Sequence, residues 1–256
     1  MNIINKRDIS LIEEKFGKDC PKQLQQLKDG IPLAYILGEW YFYGLTFKLN
    51  RDCLIPRPDT EHLVEKAIEL LPRGGVFADL CTGSGCIALS ILKNRPDLRA
   101  YAADISENAL SALKLNADSL GIGTGKVSAG ARLEIIKADL LSTDADVILP
   151  LLDGVICNPP YIKTGVIPTL GTVKNEPVTA LDGGKDGLVF YRRLIPQLKR
   201  ILKKDGVAIF ETGYDQADDV RSIAGSSGMS CTVYKDYGGN DRVAIMRSAS
   251  AGDLYE

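Results

Sequence analysis

Phe77-Ala78-Asp79-Leu80-Cys81-Thr82-Gly83-Ser84-Gly85-Cys86-Ile87-Ala88 decides the fold of this chain. It runs from an apolar strand through a glycine turn into a helix. Glycines let the backbone turn tightly and let a ligand approach the peptide plane. The same alternation continues outward. Upstream lies an amphipathic helix with Leu63, Val64, Ala67, Ile68 and Leu71 on one face. Downstream, strand Val76–Leu80 leads to helix Gly85–Asn94, and strand Arg99–Asp104 to helix Glu107–Leu120. Strands Leu133–Ala138 and Gly154–Cys157 follow, with a short element between them. Helix Gly187–Lys203, strand Gly206–Glu211 and helix Gln216–Ala224 complete the series. The end differs. Ser230–Lys235 and Arg242–Met246 flank Asp236-Tyr237-Gly238-Gly239-Asn240, a hairpin signal. The prediction is a nucleotide-type α/β sheet whose last strand is antiparallel.

Asp104 ends the strand after the glycine turn, about 20 residues on, where an acid can accept both ribose hydroxyls. The two features imply an adenine nucleoside. Gly83-x-Gly85-x-x-Ala88 also fits a dinucleotide fingerprint, in which the helix N-terminus faces a pyrophosphate. Asp79 leans the other way, because a carboxylate there repels a pyrophosphate. It suits an amino group and a sulfonium, the features of S-adenosylmethionine. Asp139-Leu140, after the third strand, adds a strand-end polar group near the place expected for an adenine, although an Asp there is also a common helix cap.

A second motif, Asn158-Pro159-Pro160-Tyr161, follows the buried strand Gly154–Cys157. Two prolines cannot continue a strand and leave two positions without an N–H. The Asn158 side chain and the Pro159 carbonyl are therefore held at the C-terminal edge of the sheet, where ligands bind in open α/β folds. The two oxygens form an acceptor pair suited to a planar –NH2 group. The plainer reading is a proline-terminated strand with Asn as a turn former.

Composition sets bounds. The chain has 256 residues, 45% hydrophobic and 25% charged, which suits one α/β domain with a small appendage. The formal net charge of −2 gives no basic field for nucleic acid. No apolar run spans a bilayer, and Met1-Asn2-Ile3-Ile4-Asn5-Lys6-Arg7-Asp8 lacks a signal-peptide core. Cys20, Cys53, Cys81, Cys86, Cys157 and Cys231 contain no CxxC pair and read as reduced, mostly buried residues of a cytoplasmic protein. His62 is the single histidine and reads as structural, so no metal site is expected. Residues 7–29 read as two short helices and Trp40–Leu49 as a hairpin. Asp59 or Thr60 is placed to cap the helix that follows. The organisation expected is a helical segment at 1–38, a linking β-hairpin at 39–52 and one catalytic domain at 53–256. Segment 161–186, rich in Gly, Pro and Thr, has the length of an active-site loop.

Taken in order, these pieces resemble the HemK/PrmC family, protein-(glutamine-N5) methyltransferases of peptide-chain release factors. The matching segments are Pro32–Gly38, Leu54–Glu61 (Leu-Ile-Pro-Arg-Pro-Asp-Thr-Glu), Asp79–Gly85, Asp104, Asn158–Tyr161, Glu176-Pro177, Ala180–Gly187 (Ala-Leu-Asp-Gly-Gly-Lys-Asp-Gly), and Asp236-Tyr237-Gly238 with Arg242. The glycine loop alone marks class I, Rossmann-like methyltransferases, and Asn-Pro-Pro-Tyr marks amino-methylating ones. The proline-arginine connector and the Gly-Gly-Lys-Asp-Gly segment are more particular. The resemblance implies that Cys81, Thr82, Gly83, Ser84 and Gly85 hold the methionyl part of the cofactor, Asp104 the ribose, and Leu140 the adenine. It also implies that Asn158, Pro159, Pro160 and Tyr161 hold the substrate glutamine, with Asn158 facing the cofactor as well. The catalytic group would be Asn158, Pro159 and Tyr161, and the product S-adenosyl-L-homocysteine. The partner implied is a release factor of translation termination, with no direct nucleic-acid binding. Two departures stand out. The helical N-terminal segment is shorter than the family's, which bears on partner recognition, and Asn175 precedes Glu176-Pro177.

Other functions fit parts of the pattern. An adenine-N6 methyltransferase of DNA or RNA uses the same acceptor pair on a flipped base. Only about a hundred residues follow the motif, however, and they are needed to finish the sheet. The nearer alternative is methylation of a glutamine in a ribosomal protein, with which the motifs are also compatible. The intact Asn158 motif argues against a silent nucleotide-binding module. Asp79 and the lack of a proton relay argue against a nicotinamide dehydrogenase. Arg57 and Arg242 read as exposed residues, more structural than catalytic, and Glu176 as a contact to cofactor or peptide.

Overall fold

In the computed structural model the residues described are 5–141, 149–173 and 175–248. The leader reading of Met1–Ile4, the outer limits of segments 1–38 and 53–256, and part of the element expected between the third and fourth strands of the sheet lie outside them.

The core is a seven-stranded sheet. Its strands are β3 (Val76–Leu80), β4 (Arg99–Asp104), β5 (Leu133–Lys137), β6 (Leu152–Cys157), β7 (Leu202–Glu211), β8 (Met229–Lys235) and β9 (Asp241–Ser248), in the order β5-β4-β3-β6-β7-β9-β8. The first five in that order are parallel neighbours, and β9 runs antiparallel between β7 and β8. This is the class I methyltransferase arrangement with an antiparallel last strand. The order reverses at β3, whose neighbours are β4 and β6, and such a switch point opens a crevice at the C-terminal strand ends. Register Leu80↔Cys157 and Cys157↔Phe210 brings the ends of β3, β6 and β7 to one rim.

Helices α4 (Glu61–Leu70), α5 (Cys86–Asn94), α6 (Glu107–Ser119), α7 (Val189–Leu194), α8 (Leu198–Ile201) and α9 (Ala217–Ser226) cover the two faces. α4, α5 and α6 enclose one cluster around Phe77, Leu89, Leu92 and Leu113. α7, α8 and α9 enclose the other around Leu80, Val155, Tyr191 and Phe210. Phe77 and Phe210 are fully buried on opposite faces, and each such side chain contributes about 1.5–3 kcal/mol. The helix expected over 187–203 is broken. Pro196 lacks the N–H that a continuous helix needs, so α7 passes through a 3-10 turn, Ile195–Gln197, into α8, and β7 has begun by Leu202.

Among the described residues three helices precede the hairpin: α1 (Lys6–Phe16), α2 (Pro21–Lys28) and α3 (Leu33–Leu37). The third was not anticipated as an element. They share a small core of Ile12, Cys20 and Ile36. The hairpin β1 (Glu39–Phe42) and β2 (Leu45–Lys48) turns through Tyr43 and Gly44, both at positive φ, as a two-residue turn requires. Asn116 of α6 fastens β2, accepting from Lys48 N and donating to Lys48 O. All six cysteines are free, three of them buried. His62 packs against Tyr237 with ring centroids 4.0 Å apart and the rings tilted 58° to each other, a packing role.

Candidate active site

A cavity of about 440 Å³ opens at the switch point, within the range of small-molecule sites. Its walls come from the glycine turn (Cys81, Thr82, Gly83, Ser84), the end of β4 (Asp104), Ala138 to Leu140 after β5, and Asn158 and Pro160 after β6. Leu54, Pro56, Arg57 and Thr60 from the proline connector close one side, and Val178 to Ala180 from the long loop close another. A smaller cavity of about 100 Å³ adjoins it, lined by Pro159, Tyr161, Leu181 and Glu211 among others. Asn158 lines both.

The side of the cavity at the glycine turn is built locally. Cys81 leaves β3 at φ 57 and Leu140 sits at φ 61, left-handed conformations that non-glycine residues rarely hold and that cluster at functional sites. Asp104 accepts Gly83 N–H at 2.8 Å on one oxygen and Ser106 N–H at 2.9 Å on the other. Burial raises its pKa, and these amides oppose the rise. Leu140 is buried against the cavity with Ala138 beside it.

Two residues expected at the ligand stand behind the wall. Gly85 does not line the cavity. A Cβ there would lie 2.0 Å from Leu113 Cδ1, so its glycine serves the packing of α5 on α6, at φ 80. Asp79 is fully buried beneath the turn. Its Oδ2 accepts Thr82 Oγ1–H at 2.6 Å and Ala88 N–H at 3.1 Å, while Oδ1 has no partner. Burial pushes the Asp79 carboxyl up to about 7 despite the two donors.

The other side is built from distant segments. Asn158 and the end of β7 meet because β6 and β7 are paired in register. Asn158 Nδ2 donates to Thr60 Oγ1 at 3.3 Å. Thr60 Oγ1 donates to Glu211 Oε2 at 2.6 Å, and the Tyr161 phenol donates to Glu211 Oε1 at 3.0 Å. Burial raises the pKa of Glu211, opposed by Thr60, Arg242 and Tyr161. Burial and the Glu211 charge hold the phenol of Tyr161 protonated. Gln216 fixes the same residue from behind, its Nε2 donating to Tyr161 O at 2.9 Å and to Gly187 O at 3.2 Å. Gly183 abuts Tyr161, and a Cβ there would lie 2.7 Å from Tyr161 Cα.

The long loop is anchored rather than loose. Glu176 is buried, ion-paired to Arg57, and accepts Ile55 N–H at 3.2 Å. Asn175 donates to Gly30 O at 2.7 Å, joining the loop to the N-terminal helices. Arg242, read as exposed, is buried. It pairs with Asp236 at 3.1 Å and donates to Thr212 O at 3.3 Å. Thr60 precedes α4 without making a capping bond, because its hydroxyl is committed to Glu211. Thr60, Glu211 and Gln216 are site residues that the sequence reading missed. The one signal was an acid, Glu211, ending the apolar run of β7.

Residues 59–175 match the methyltransferase small domain family. In overall shape the chain is similar to a ribosomal protein L11 methylase from Lactobacillus delbrueckii subsp. bulgaricus (TM-score 0.53, 22% identity, 79% of this chain and 86% of that one), a likeness of fold. Sequence relatives are closer. The release factor glutamine methyltransferase of Thermodesulfovibrio yellowstonii is 37% identical over 94% of this chain and 81% of its own length. That of Clostridium acetobutylicum is 38% identical over 91% of this chain and 81% of its own length. With identity at that level over most of both chains, the chain belongs to the release factor glutamine methyltransferases.

Proposed function

We propose that this protein transfers a methyl group from S-adenosylmethionine to the side-chain amide nitrogen (N5) of a glutamine, that of the Gly-Gly-Gln motif of a peptide-chain release factor. The observation that carries this is Asn158, which stands between a nucleoside-sized cavity and a smaller one at the same sheet edge. The reading includes a cytoplasmic setting. Among the described residues no helix is long and apolar enough to cross a membrane. It also includes the division into a helical segment (1–38), a hairpin (39–52) and a catalytic domain (53–256).

The residues fit the cofactor. Asp104 supplies acceptors for ribose hydroxyls, Leu140 and Ala138 an apolar wall for adenine, and Cys81 to Ser84 the turn beside the methionyl part. Asp79 lies beneath that turn, with one buried oxygen unmatched. When bound, S-adenosylmethionine supplies an electrophilic methyl and a neutral thioether leaving group. The chain's task is to present a poor nucleophile, an amide nitrogen whose lone pair is delocalised. Asn158 Oδ1 and the Pro159 carbonyl accept its two N–H bonds, which aims the nitrogen and favours the positive charge that develops on it. Pro159 and Pro160 have no N–H to compete for those acceptors. Tyr161, held at its phenol and at its carbonyl, walls the smaller cavity and fixes the plane of the amide. The N-methylated amide cation is strongly acidic and releases its proton without a dedicated base.

The test is mass spectrometry of purified release factor after incubation with labelled cofactor, with ribosomes and duplex DNA in parallel. The expected result is one methyl on the Gly-Gly-Gln glutamine. Label confined to a ribosomal protein or to DNA overturns the reading.

A further inference from the structure

The acceptor role of Asn158 needs its carboxamide turned one way, with Oδ1 toward the incoming amide and Nδ2 away from it. The two ends of a carboxamide are nearly alike in shape, so packing does not choose between them; hydrogen bonds must. The partner of Asn158 is Thr60, only 2% exposed, whose hydroxyl has a single proton. That proton goes to Glu211 Oε2 at 2.6 Å, and Glu211 is itself 1% exposed. Only lone pairs of Thr60 remain for Asn158, and they accept from Nδ2. A reversed amide would set Oδ1 against the Thr60 oxygen with no hydrogen between them. Alternatively it would draw the hydroxyl proton away and leave a buried carboxylate oxygen unmatched. Both outcomes are unfavourable in a dry site. The other oxygen of Glu211 holds the Tyr161 phenol, so one carboxylate governs both ends of Asn158-Pro159-Pro160-Tyr161.

We propose that Thr60 and Glu211 are positioning residues for methyl transfer: a hydrogen-bond relay from the end of β7, through the residue preceding α4, turns the Asn158 oxygen toward the acceptor amide. This rests on the glutamine methyltransferase reading and deepens it. The relay also accounts for a threonine that heads a helix without capping it. Thr60 acts through Asn158 and forms no bond to the substrate.

Thr60→Val keeps the shape and removes the relay proton, whereas Thr60→Ser keeps the proton. Glu211→Gln keeps the shape and places a donor-bearing amide where the carboxylate accepted. The measurements are kcat, release-factor KM, cofactor Kd and thermal midpoint of the full chain. Thr60→Val and Glu211→Gln are each expected to lower kcat about tenfold with cofactor Kd within about twofold, and Thr60→Ser to stay within about threefold of wild type. In an Asn158→Ala background, Thr60→Val should have no further effect on kcat, because it acts only through that side chain. Wild-type kcat in a folded Thr60→Val or Glu211→Gln protein overturns the relay. So does a Thr60→Val loss that persists undiminished in the Asn158→Ala background, or a Thr60→Ser protein as slow as Thr60→Val. Should Thr60→Val fail to fold, Glu211→Gln and Thr60→Ser decide alone. A wild-type protein that methylates no release factor sinks the glutamine reading itself. An active wild type with silent variants sinks only the relay.

Discussion

The two halves of the cavity are made in opposite ways. On the glycine-turn side, hydrogen bonds are short in sequence: Thr82 to Asp79, Ser106 to Asp104, Gly83 to Asp104 across a single helix crossover. Backbone amides supply most donors. On the Asn158 side every important contact is long-range. Asn158 meets Thr60 across 98 positions, Glu211 meets Thr60 across 151, and Arg57 meets Glu176 across 119. Side chains supply most donors there, Thr60 and Gln216 buried and Asn158, Tyr161 and Arg57 half-buried. A strand–turn–helix unit prescribes the first half by its own backbone geometry. The second exists only once β6, β7 and α4 are docked. Binding the donor and presenting the acceptor should therefore be separable by mutation.

The largest effect expected from that division is at Asn158. Asn158→Ala should lower kcat by about 10²-fold or more, the scale of losing one partner of a developing charge, with a far smaller change in cofactor affinity. Single-turnover methyl transfer and cofactor titration check this together. Cofactor affinity falling in step with kcat would break the division. Next, Asp104→Ala should weaken cofactor binding about 10–100-fold through two lost hydrogen bonds to a charged acceptor, while kcat at saturating cofactor falls much less. Calorimetric titration reads the first quantity and initial rates the second.

The smallest effect sharpens the contrast through pH. Asp79 is raised to about 7 by burial. A carboxyl raised above its unfolded value contributes stability that is fully present below the unfolded pKa of about 3.9 and is lost as pH rises through the folded value. Cofactor-free protein should therefore lose part of its thermal stability between pH 5 and 8 on this account, with Asp79→Asn flattening that part of the profile. Thermal melts of the two proteins across about three pH units make the comparison. Identical slopes would show that Asp79 does not titrate in this window.

How much was legible follows the same line. Cys81–Ser84, Asp104 and Asn158–Tyr161, which line the two cavities, were picked out of the sequence because each sits at a strand end, and strand ends are marked by apolar runs meeting Gly, Pro or an acid. The strand limits of β3 and β4 were read as they stand for the same reason. The break at Pro196 was passed over because the apolar periodicity continues through it, Leu194, Ile195 and Leu198 all being buried. The structural reading of Arg242 holds but its exposure was misjudged, because a cation in a hairpin is usually solvated, whereas here it pairs with Asp236 and the Thr212 carbonyl and is buried. Thr60 carried a plausible local role as a cap, and that role concealed its long-range one.

From its residues alone this chain fixes a glycine-turned strand and helix, a proline-stiffened rim and the alternation that makes a parallel sheet, because these depend on backbone freedom and on which face is apolar. Which way the Asn158 amide points, which carboxylate it answers to and which glycine lines the cavity rather than serving packing were decided only when the strands paired. A single hydroxyl proton can be spoken for by a residue 151 positions away, and nothing local announces it.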